Sequence, residues 1–490
     1  MNRDRASTTL RAGLPLLPAL LALVAMLAIL PSDPAPGMTD SSSPFTDEAY
    51  NVVNARNEVL LGRWSTDDWN LHLVNGPFSP AVAGVFRLFG VGIEPARLFV
   101  TLLSCLAIAL VALVSAASFG TLAGVLAGIA LGGNTLMLYY GRLAYLEPMV
   151  LLFLLAGTTL LIVRPPIAGW RLGAAGGLLL GMGIATKPSA AFAAIGILAG
   201  VSLAGGIRRR ATWEPVGAAL AGMVAVGIGW LLLIGLPNWP AVQADLRIWA
   251  AEPPPENVGQ ALQRMAAYLT VNDGAIAFAF TLAIAAAAGA VVAVRRWRFL
   301  EPAHRAVVGA AVGWLVAGMG LLLIVPYRPN RYVVPMLPAL ALLAAVGAAH
   351  LLQAVASLRG GRAVAVIALS AGLALPGASA YAGWAATQTQ RLTEAQALVE
   401  QHVGPGEAVQ GELAPLFALR VPVITYISRP ADGINPGNLY ASGHVRWLVQ
   451  RPHSAPAWWP QERPAWRAQE TAGCVDWGGF ERCLVHIPDR

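Results

Sequence analysis

Long apolar blocks separated by shorter polar loops fill the chain from Leu14 to Gly383. A block of about 20 apolar residues crosses the hydrocarbon core of a bilayer as a helix. The pattern predicts about eleven such helices: Leu14–Leu30, Leu98–Ala117, Leu122–Leu138, Met149–Val163, Leu172–Ala185, Ala190–Leu203, Val216–Leu236, Ala275–Val294, Ala306–Val325, Val333–Ala349 and Ala363–Gly383. Several are short by that rule, and the pair around Lys187 reads as broken or tilted. Two intervening loops are long. In the first, residues 32–77, the segment Ala49–Leu61 sets Val52, Val53, Val59 and Leu60 among polar residues, as a helix lying in the membrane interface would. A second such helix is expected over Pro80–Phe89. The second long loop, Pro237–Asp273, carries Trp239, Trp249 and Pro253-Pro254-Pro255. Its aromatics are expected at headgroup depth, with plain interfacial padding as the alternative.

After Trp384 the pattern changes: residues 385–490 are polar and rich in proline. Thr393–His402 reads as a short helix, Glu407–Gln410 as a strand, and Val421–Ile427 and Val445–Val449 as apolar β-prone runs. The expected fold is therefore an all-α polytopic membrane domain over residues 1–384, with a small extracytoplasmic α/β domain over 385–490 packed on the mouth of the bundle.

Composition agrees. The 490 residues are 56% hydrophobic and 12% charged, where a soluble domain carries about twice that charged fraction. The net charge of +7 does not point to nucleic acid, because the basic residues follow the loops. Arg3, Arg5 and Arg11 precede the first block, Arg164 and Arg171 lie between the fourth and fifth, and Arg208, Arg209 and Arg210 follow the sixth. Arg295, Arg296, Arg298 and Arg305 separate the eighth from the ninth, and Arg359 and Arg362 the tenth from the eleventh. With alternating spans all of these fall on one side, which the positive-inside rule makes cytoplasmic. The amino terminus is then inside and the carboxyl terminus outside, in a multi-pass cell-membrane protein surrounded by membrane lipids. The first block is long for a signal peptide and lacks a small-x-small cleavage site, so it is read as an uncleaved span. Of the three cysteines, Cys105 lies mid-span, while Cys474 and Cys483 fall in the outward tail and are expected to form a disulfide.

Candidate chemistry concentrates in the outward loops. Asp47-Glu48 follows the first block, in a loop that also holds Tyr50, Arg56, Glu58, Asp67, Asp68 and His72, and Glu147 opens the fourth. Carboxylates meeting at one vestibule suit a general base or a divalent cation held by Asp47 and Glu147. The alternative is local: Asp47 caps the interfacial helix, and Glu147 occupies a first helical turn where the dipole favours it. Lys187, the one lysine of the chain, sits at an outward turn in Thr186-Lys187-Pro188, and Arg328 and Arg331 at another. These cations break the side bias, and a lipid phosphate is a natural anion for them. Snorkelling to ordinary headgroups is the competing explanation.

Four motifs resemble those of the GT-C membrane glycosyltransferases: Asp47-Glu48-Ala49-Tyr50, Arg142-Leu143-Ala144-Tyr145-Leu146-Glu147-Pro148, Thr186-Lys187-Pro188 and Arg331-Tyr332-Val333-Val334-Pro335-Met336-Leu337-Pro338. The similarity is to the bacterial branch of aminoarabinose transferases and protein O-mannosyltransferases, and covers nearly the whole membrane part. It implies a polyprenyl-phosphate-linked sugar donor and a cell-envelope lipid, glycan or protein as acceptor. It matches Asp47 to the catalytic carboxylate, with Glu48 next in line, and Glu147 to a second acidic site that is often Asp. It matches Lys187, Arg331 and Tyr332 to the donor phosphate, and draws Arg328, Tyr50, His72 and Arg142 into the expected substrate site. Asn70-Leu71-His72 departs from the family's His-Pro-Pro segment, so the acceptor does not transfer. Independently of the resemblance, sugar transfer from a lipid phosphate needs a base, a clamp for the leaving phosphate and a water-poor pocket, all of which these residue types supply. No GxGxxG before a helix and no Walker A sequence is present, so no nucleotide site is expected. The competing class is a polytopic lipid or glycan transporter or flippase, which would place paired charges deep in broken helices.

Overall fold

The computed structural model describes residues 13–35, 45–162, 169–206, 210–249, 257–263, 275–325, 329–427, 445–450, 470–477 and 481–486. Every apolar block folds as helix. The first is α1 (Leu14–Ala28). It is followed by α2 (Thr46–Leu61), α3 (Phe78–Phe89), α4 (Ile93–Phe119), α5 (Thr121–Gly132) and α6 (Thr135–Tyr140). Then come α7 (Glu147–Ile162), α8 (Gly169–Thr186), α9 (Ala190–Gly205), α10 (Arg210–Trp230) and α11 (Trp239–Trp249). The helical part closes with α12 (Ala275–Arg296), α13 (Pro302–Ile324), α14 (Leu337–Ala354) and α15 (Gly361–Ala386). Among the described residues, five stretches are long and apolar enough to cross a membrane: Ile93–Phe119, Trp213–Gly235, Pro302–Ile324, Asn330–Ala354 and Gly361–Ala386. Leu14–Ala28, Phe78–Phe89, Thr121–Gly132, Glu147–Ile162 and Ala190–Gly205 are shorter apolar helices. The protein is an α-helical membrane protein.

Glycine and alanine set how the helices pair. Lipid tails are as apolar as leucine, so helices in a membrane gain by close packing, which small residues permit. At the α9–α13 contact Gly200 meets Gly309 so tightly that a Cβ on Gly200 would lie 1.9 Å from the Gly309 carbonyl oxygen. The α8–α10 pair meets the same way at Gly177 and Ala219, and α12–α14 at Gly289 and Leu343.

Three local readings differ from the sequence expectation. The block Leu122–Leu138 divides into α5 and α6 at Gly133-Asn134, where the Asn134 side chain accepts from the Leu136 N–H and caps the second piece. Part of the loop Pro237–Asp273 is helical, as α11. Most important, the first turns of α2 are enclosed by protein rather than presenting one polar face to water. Ala49, Val52 and Ala55 are fully buried, and so are the polar Glu48, Asn54, Arg56 and Asn57. A buried polar group must find a partner, and here each does. Asn54 donates to the carbonyls of Trp64 and Trp69, and Asn57 to Thr66. Arg56 donates to the carbonyls of Ala418, Leu419, Val421 and Val423. Gly62 stops the helix in the left-handed conformation, φ 68°.

Those Arg56 partners belong to the tail. Arg391–His402 (α16) is followed by a five-stranded sheet of β1 (Ala408–Gln410), β2 (Ile424–Tyr426), β3 (Trp447–Gln450), β4 (Glu470–Asp476) and β5 (Glu481–His486). The strand order is β2-β1-β3-β5-β4, parallel from β2 to β3 and antiparallel from there on. Cys474 and Cys483 stand opposite each other in β4 and β5 and form a disulfide. The tail shares one hydrophobic core with α2, α3 and the first turns of α4 and α7, running from Phe45, Val52 and Phe86 to Val409, Phe417 and Trp477. Asp33, just beyond α1, adds a second tie: its carboxylate accepts from the Thr389 hydroxyl and the N–H groups of Arg391 and Leu392, capping α16.

Candidate active site

Four separate segments bring charges together at one end of the helical part. Asp47 lies in the first turn of α2. Glu147 is the first residue of α7, Lys187 follows α8, and Arg331 lies in the short 3-10 helix Asn330–Met336 that leads into α14. Arg331 Nη1 is 2.6 Å from Asp47 Oδ2, and its Nε is 3.6 Å from Glu147 Oε1. Lys187 Nζ donates to the same Glu147 oxygen at 2.6 Å. The result is a chain of alternating charge, Asp47–Arg331–Glu147–Lys187, with no net charge. Glu147 is 2% exposed at its side chain, whereas Asp47 is 20% exposed and Lys187 14%. Solvent therefore reaches Asp47, Lys187 and an edge of Arg331, which is 10% exposed, but barely reaches Glu147.

Aromatic faces hold the cations in place. Lys187 Nζ lies 4.4 Å from the centre of the Tyr332 ring, within the range where a ring quadrupole attracts a cation. The Arg331 guanidinium is 5.7 Å from that ring and 5.9 Å from Tyr145. The turn carrying Lys187 is fixed from outside by Gly76, whose missing side chain allows contact: a Cβ there would sit 2.7 Å from the Ala185 carbonyl oxygen. Below Lys187 and Tyr332 a narrow cleft of about 30 Å³ runs between Val150, Phe192, Trp314 and Met336.

Glu48, the neighbour of Asp47, lies elsewhere. It is fully buried, and both its oxygens bind Arg97, at 2.8 and 2.7 Å. One of them also accepts from the Ala144 N–H. Burial alone would push this carboxyl up, but the Arg97 charge and hydrogen bonds, the Ala144 N–H and the nearby Arg142 outweigh it and hold it below the ordinary value. Arg142, also fully buried, donates to the carbonyls of Ile29, Leu30, Ser32 and Asp33 and lies 4.4 Å from the centre of the Trp384 ring. Arg97 reaches two of the same carbonyls, Leu30 and Ser32. The two arginines thus gather the carbonyls of the segment that leaves α1, residues 29–33. These contacts form a structural clasp, whereas the sequence reading named Glu48 as a catalytic and Arg142 as a substrate-binding residue.

Tyr50 and His72 each pack on a tryptophan. Tyr50 packs on Trp69 with ring centres 4.8 Å apart. His72 stacks on Trp64, and burial pushes its imidazole down to about 4. Arg328 lies outside the described residues. Arg97 was overlooked in the sequence. It is one more basic residue in an outward loop, and that sidedness was the available signal. Tyr145 stood inside a quoted motif without being singled out.

The donor set does not suit a divalent cation. Asp47 and Glu147 are already countered by Arg331 and Lys187, and the guanidinium lies between the two carboxylates. A metal held by both would face two positive groups at close range. Among the described residues, the one convergence of three His, Cys, Asp or Glu groups is Glu481 with Cys474 and Cys483, which are bonded to each other.

Comparison with known proteins agrees with this architecture. ArnT from Cupriavidus metallidurans in the apo state superposes with a TM-score of 0.64 at 17% sequence identity, covering 96% of this chain and 97% of that one. The chain has the GT-C fold. ArnT from the same organism bound to undecaprenyl phosphate superposes with a TM-score of 0.62, also at 17% identity and with the same coverage. The Archaeoglobus fulgidus oligosaccharyltransferase, in a complex with Zn and sulfate, shares the GT-C fold at a TM-score of 0.55 and 13% identity, over 88% of this chain and 67% of that one. The family model described as dolichyl-phosphate-mannose-protein mannosyltransferase matches residues 77–231, from the start of α3 to the end of α10. No curated protein matches the sequence. The GT-C resemblance read from the motifs is thus matched by the fold.

Proposed function

We propose that the protein is a membrane glycosyltransferase that takes a sugar from a polyprenyl-phosphate-linked donor and passes it to a cell-envelope acceptor at the outer face of the membrane. The observation that carries this reading is the meeting of Asp47, Glu147, Lys187 and Arg331 from four segments beside an apolar cleft. Two cations with exposed flanks suit a phosphate, and the cleft below them suits the start of an isoprenoid chain once it widens. The topology read from the arginines puts this end of the bundle outside, and two ArnT structures with the same fold, one bound to undecaprenyl phosphate, support a lipid-phosphate donor.

The four charges of the site cancel one another, and this assigns a role to each member. When the donor phosphate enters, it competes with Asp47 for Arg331 and with Glu147 for Lys187. Asp47 is thereby released from its ion pair at the solvent-facing end of the chain. It then accepts the proton of the acceptor hydroxyl or amine as that group attacks the anomeric carbon. The bond between that carbon and the phosphate oxygen breaks on the opposite face, so configuration inverts. Lys187 and Arg331 hold the charge that grows on the leaving oxygen, and polyprenyl phosphate departs. Glu147 keeps the two cations correctly spaced.

The test is turnover of a short-chain polyprenyl-phosphate sugar by full-length protein in nanodiscs, without ATP or an ion gradient. A charge-assisted contact to phosphate is worth about 1.5–3 kcal/mol, so Lys187→Ala and Arg331→Ala are each expected to lower donor use about tenfold or more. Arg331→Lys recovers only part, because an ammonium lacks the planar pair of donors. Parent-like donor binding and turnover in both alanine variants would overturn the clamp.

A further inference from the structure

At the far end of α14 from the charge cluster, the helices part around a cavity of about 760 Å³. Leu337 to Gln353 spans about 24 Å at the helical rise, so the two sites share no residue. The walls are apolar: Leu126 of α5, Ala285, Ala288 and Val292 of α12, Ala344 and Ala348 of α14, and Leu369 and Leu373 of α15 are among the residues that line it. At its mouth stand Arg295 and Arg296, in the last turn of α12, with His350 of α14. Among the described residues no carboxylate lines it. The outer wall is α15, whose membrane-spanning stretch is only 6% buried in the protein. That helix leans off the bundle and leaves the space between itself, α12 and α14.

We infer that this cavity is a binding site for an anionic membrane phospholipid, with its chains along the apolar walls and its phosphate at Arg295 and Arg296. Two simpler causes account for part of the arrangement. Arginines suit the negative end of a helix dipole, and they belong on the cytoplasmic side of a membrane. Neither explains why the helices stay apart below them. An apolar cavity of this size, open to lipid along an exposed helix and flanked at one end by two arginines with His350 and Gln353, matches an amphiphile with one anionic end.

The experiment is native mass spectrometry of the full-length protein in detergent, titrated with phosphatidylglycerol or with phosphatidylcholine of the same chains. The parent is expected to retain phosphatidylglycerol about tenfold more strongly. Arg295→Gln with Arg296→Gln should remove that preference, and Ala288→Trp, which fills the cavity, should lower retention of both lipids. Arg359→Gln with Arg362→Gln removes equal charge from the same end of the protein, outside the cavity, and should bind as the parent does. Equal retention of the two lipids by the parent overturns the inference, as does parent-like preference in the Arg295/Arg296 variant or an equal loss in the Arg359/Arg362 variant. Displacement of the lipid by millimolar inorganic phosphate would make this an anion site alone. Retention of a polyprenyl phosphate in preference to phosphatidylglycerol would make it a path for the donor lipid, and either result overturns the phospholipid assignment.

Discussion

Asp47 and Glu48 are adjacent carboxylates with opposite expected phenotypes. Glu48→Gln keeps the shape but turns an amide toward a guanidinium. Arg97 is then left with no exposure and without its directly paired charge, keeping the Leu30 and Ser32 carbonyls and the more distant charge of Asp33. Breaking a buried pair from one side costs about 3–5 kcal/mol, because an uncompensated charge stays buried. Asp47→Asn acts on a side chain that is 20% exposed. A partly exposed ion pair is worth about 1 kcal/mol or less, so stability should barely change, while loss of a general base lowers transfer about 10²–10⁴-fold. Thermal unfolding of both full-length variants in detergent, run beside a sugar-transfer assay, separates the two roles. Glu48→Leu with Arg97→Leu should recover part of the lost stability, since the charge and its partner leave together. If Glu48→Gln unfolds with the parent, or loses transfer at unchanged stability, the clasp is wrongly assigned and Glu48 belongs with the chemistry.

His72, held at about 4 by burial, should make stability fall as pH drops. Its folded value lies below the unfolded 6.5, so the unfolded chain binds the extra proton and the loss runs from about 6.5 down to about 4. His72→Gln should flatten that part of the unfolding profile, and an unchanged profile would exclude the histidine as its source. Arg56→Ala strips the donor from four tail carbonyls and should cost about 1.5–3 kcal/mol or more, read as faster proteolysis within residues 414–427; a parent-like cleavage rate would refute it. Cys474 and Cys483 should resist alkylation in protein from intact membranes until a reductant is added, and ready labelling of both would contradict the pairing.

The helices were legible because lipid imposes one simple demand, long apolar runs. The charge cluster was legible for a related reason. Lys187 and Arg331 stand where the side bias forbids cations, and Glu147 opens an apolar run. What the pattern could not give was which polar neighbour turns which way. Asp47 and Glu48 are one residue apart on a helix, so their side chains point about 100° apart. One meets Arg331 and the other Arg97. Likewise, Val52, Val53 and Val59 among polar residues carry the same periodicity whether the polar side faces water or another domain. Only the tail carbonyls around Arg56 tell the two apart. The strands β4 and β5 went unread because the strand signal there is weak beside Gly473 and the two cysteines.

The burial of α2 has a consequence for how the protein is made. Arg56 finds its partners more than 360 residues later in the chain. A ribosome releases α2 long before the tail exists, so the arginine and the asparagines around it must wait while the intervening helices enter the membrane. The position of Asp47 is therefore settled only after the last part of the chain has emerged. A product cut short between residues 387 and 417 would carry every long apolar helix and still lack the partners that seat Arg56 of α2, which couples completion of synthesis to the appearance of a competent centre.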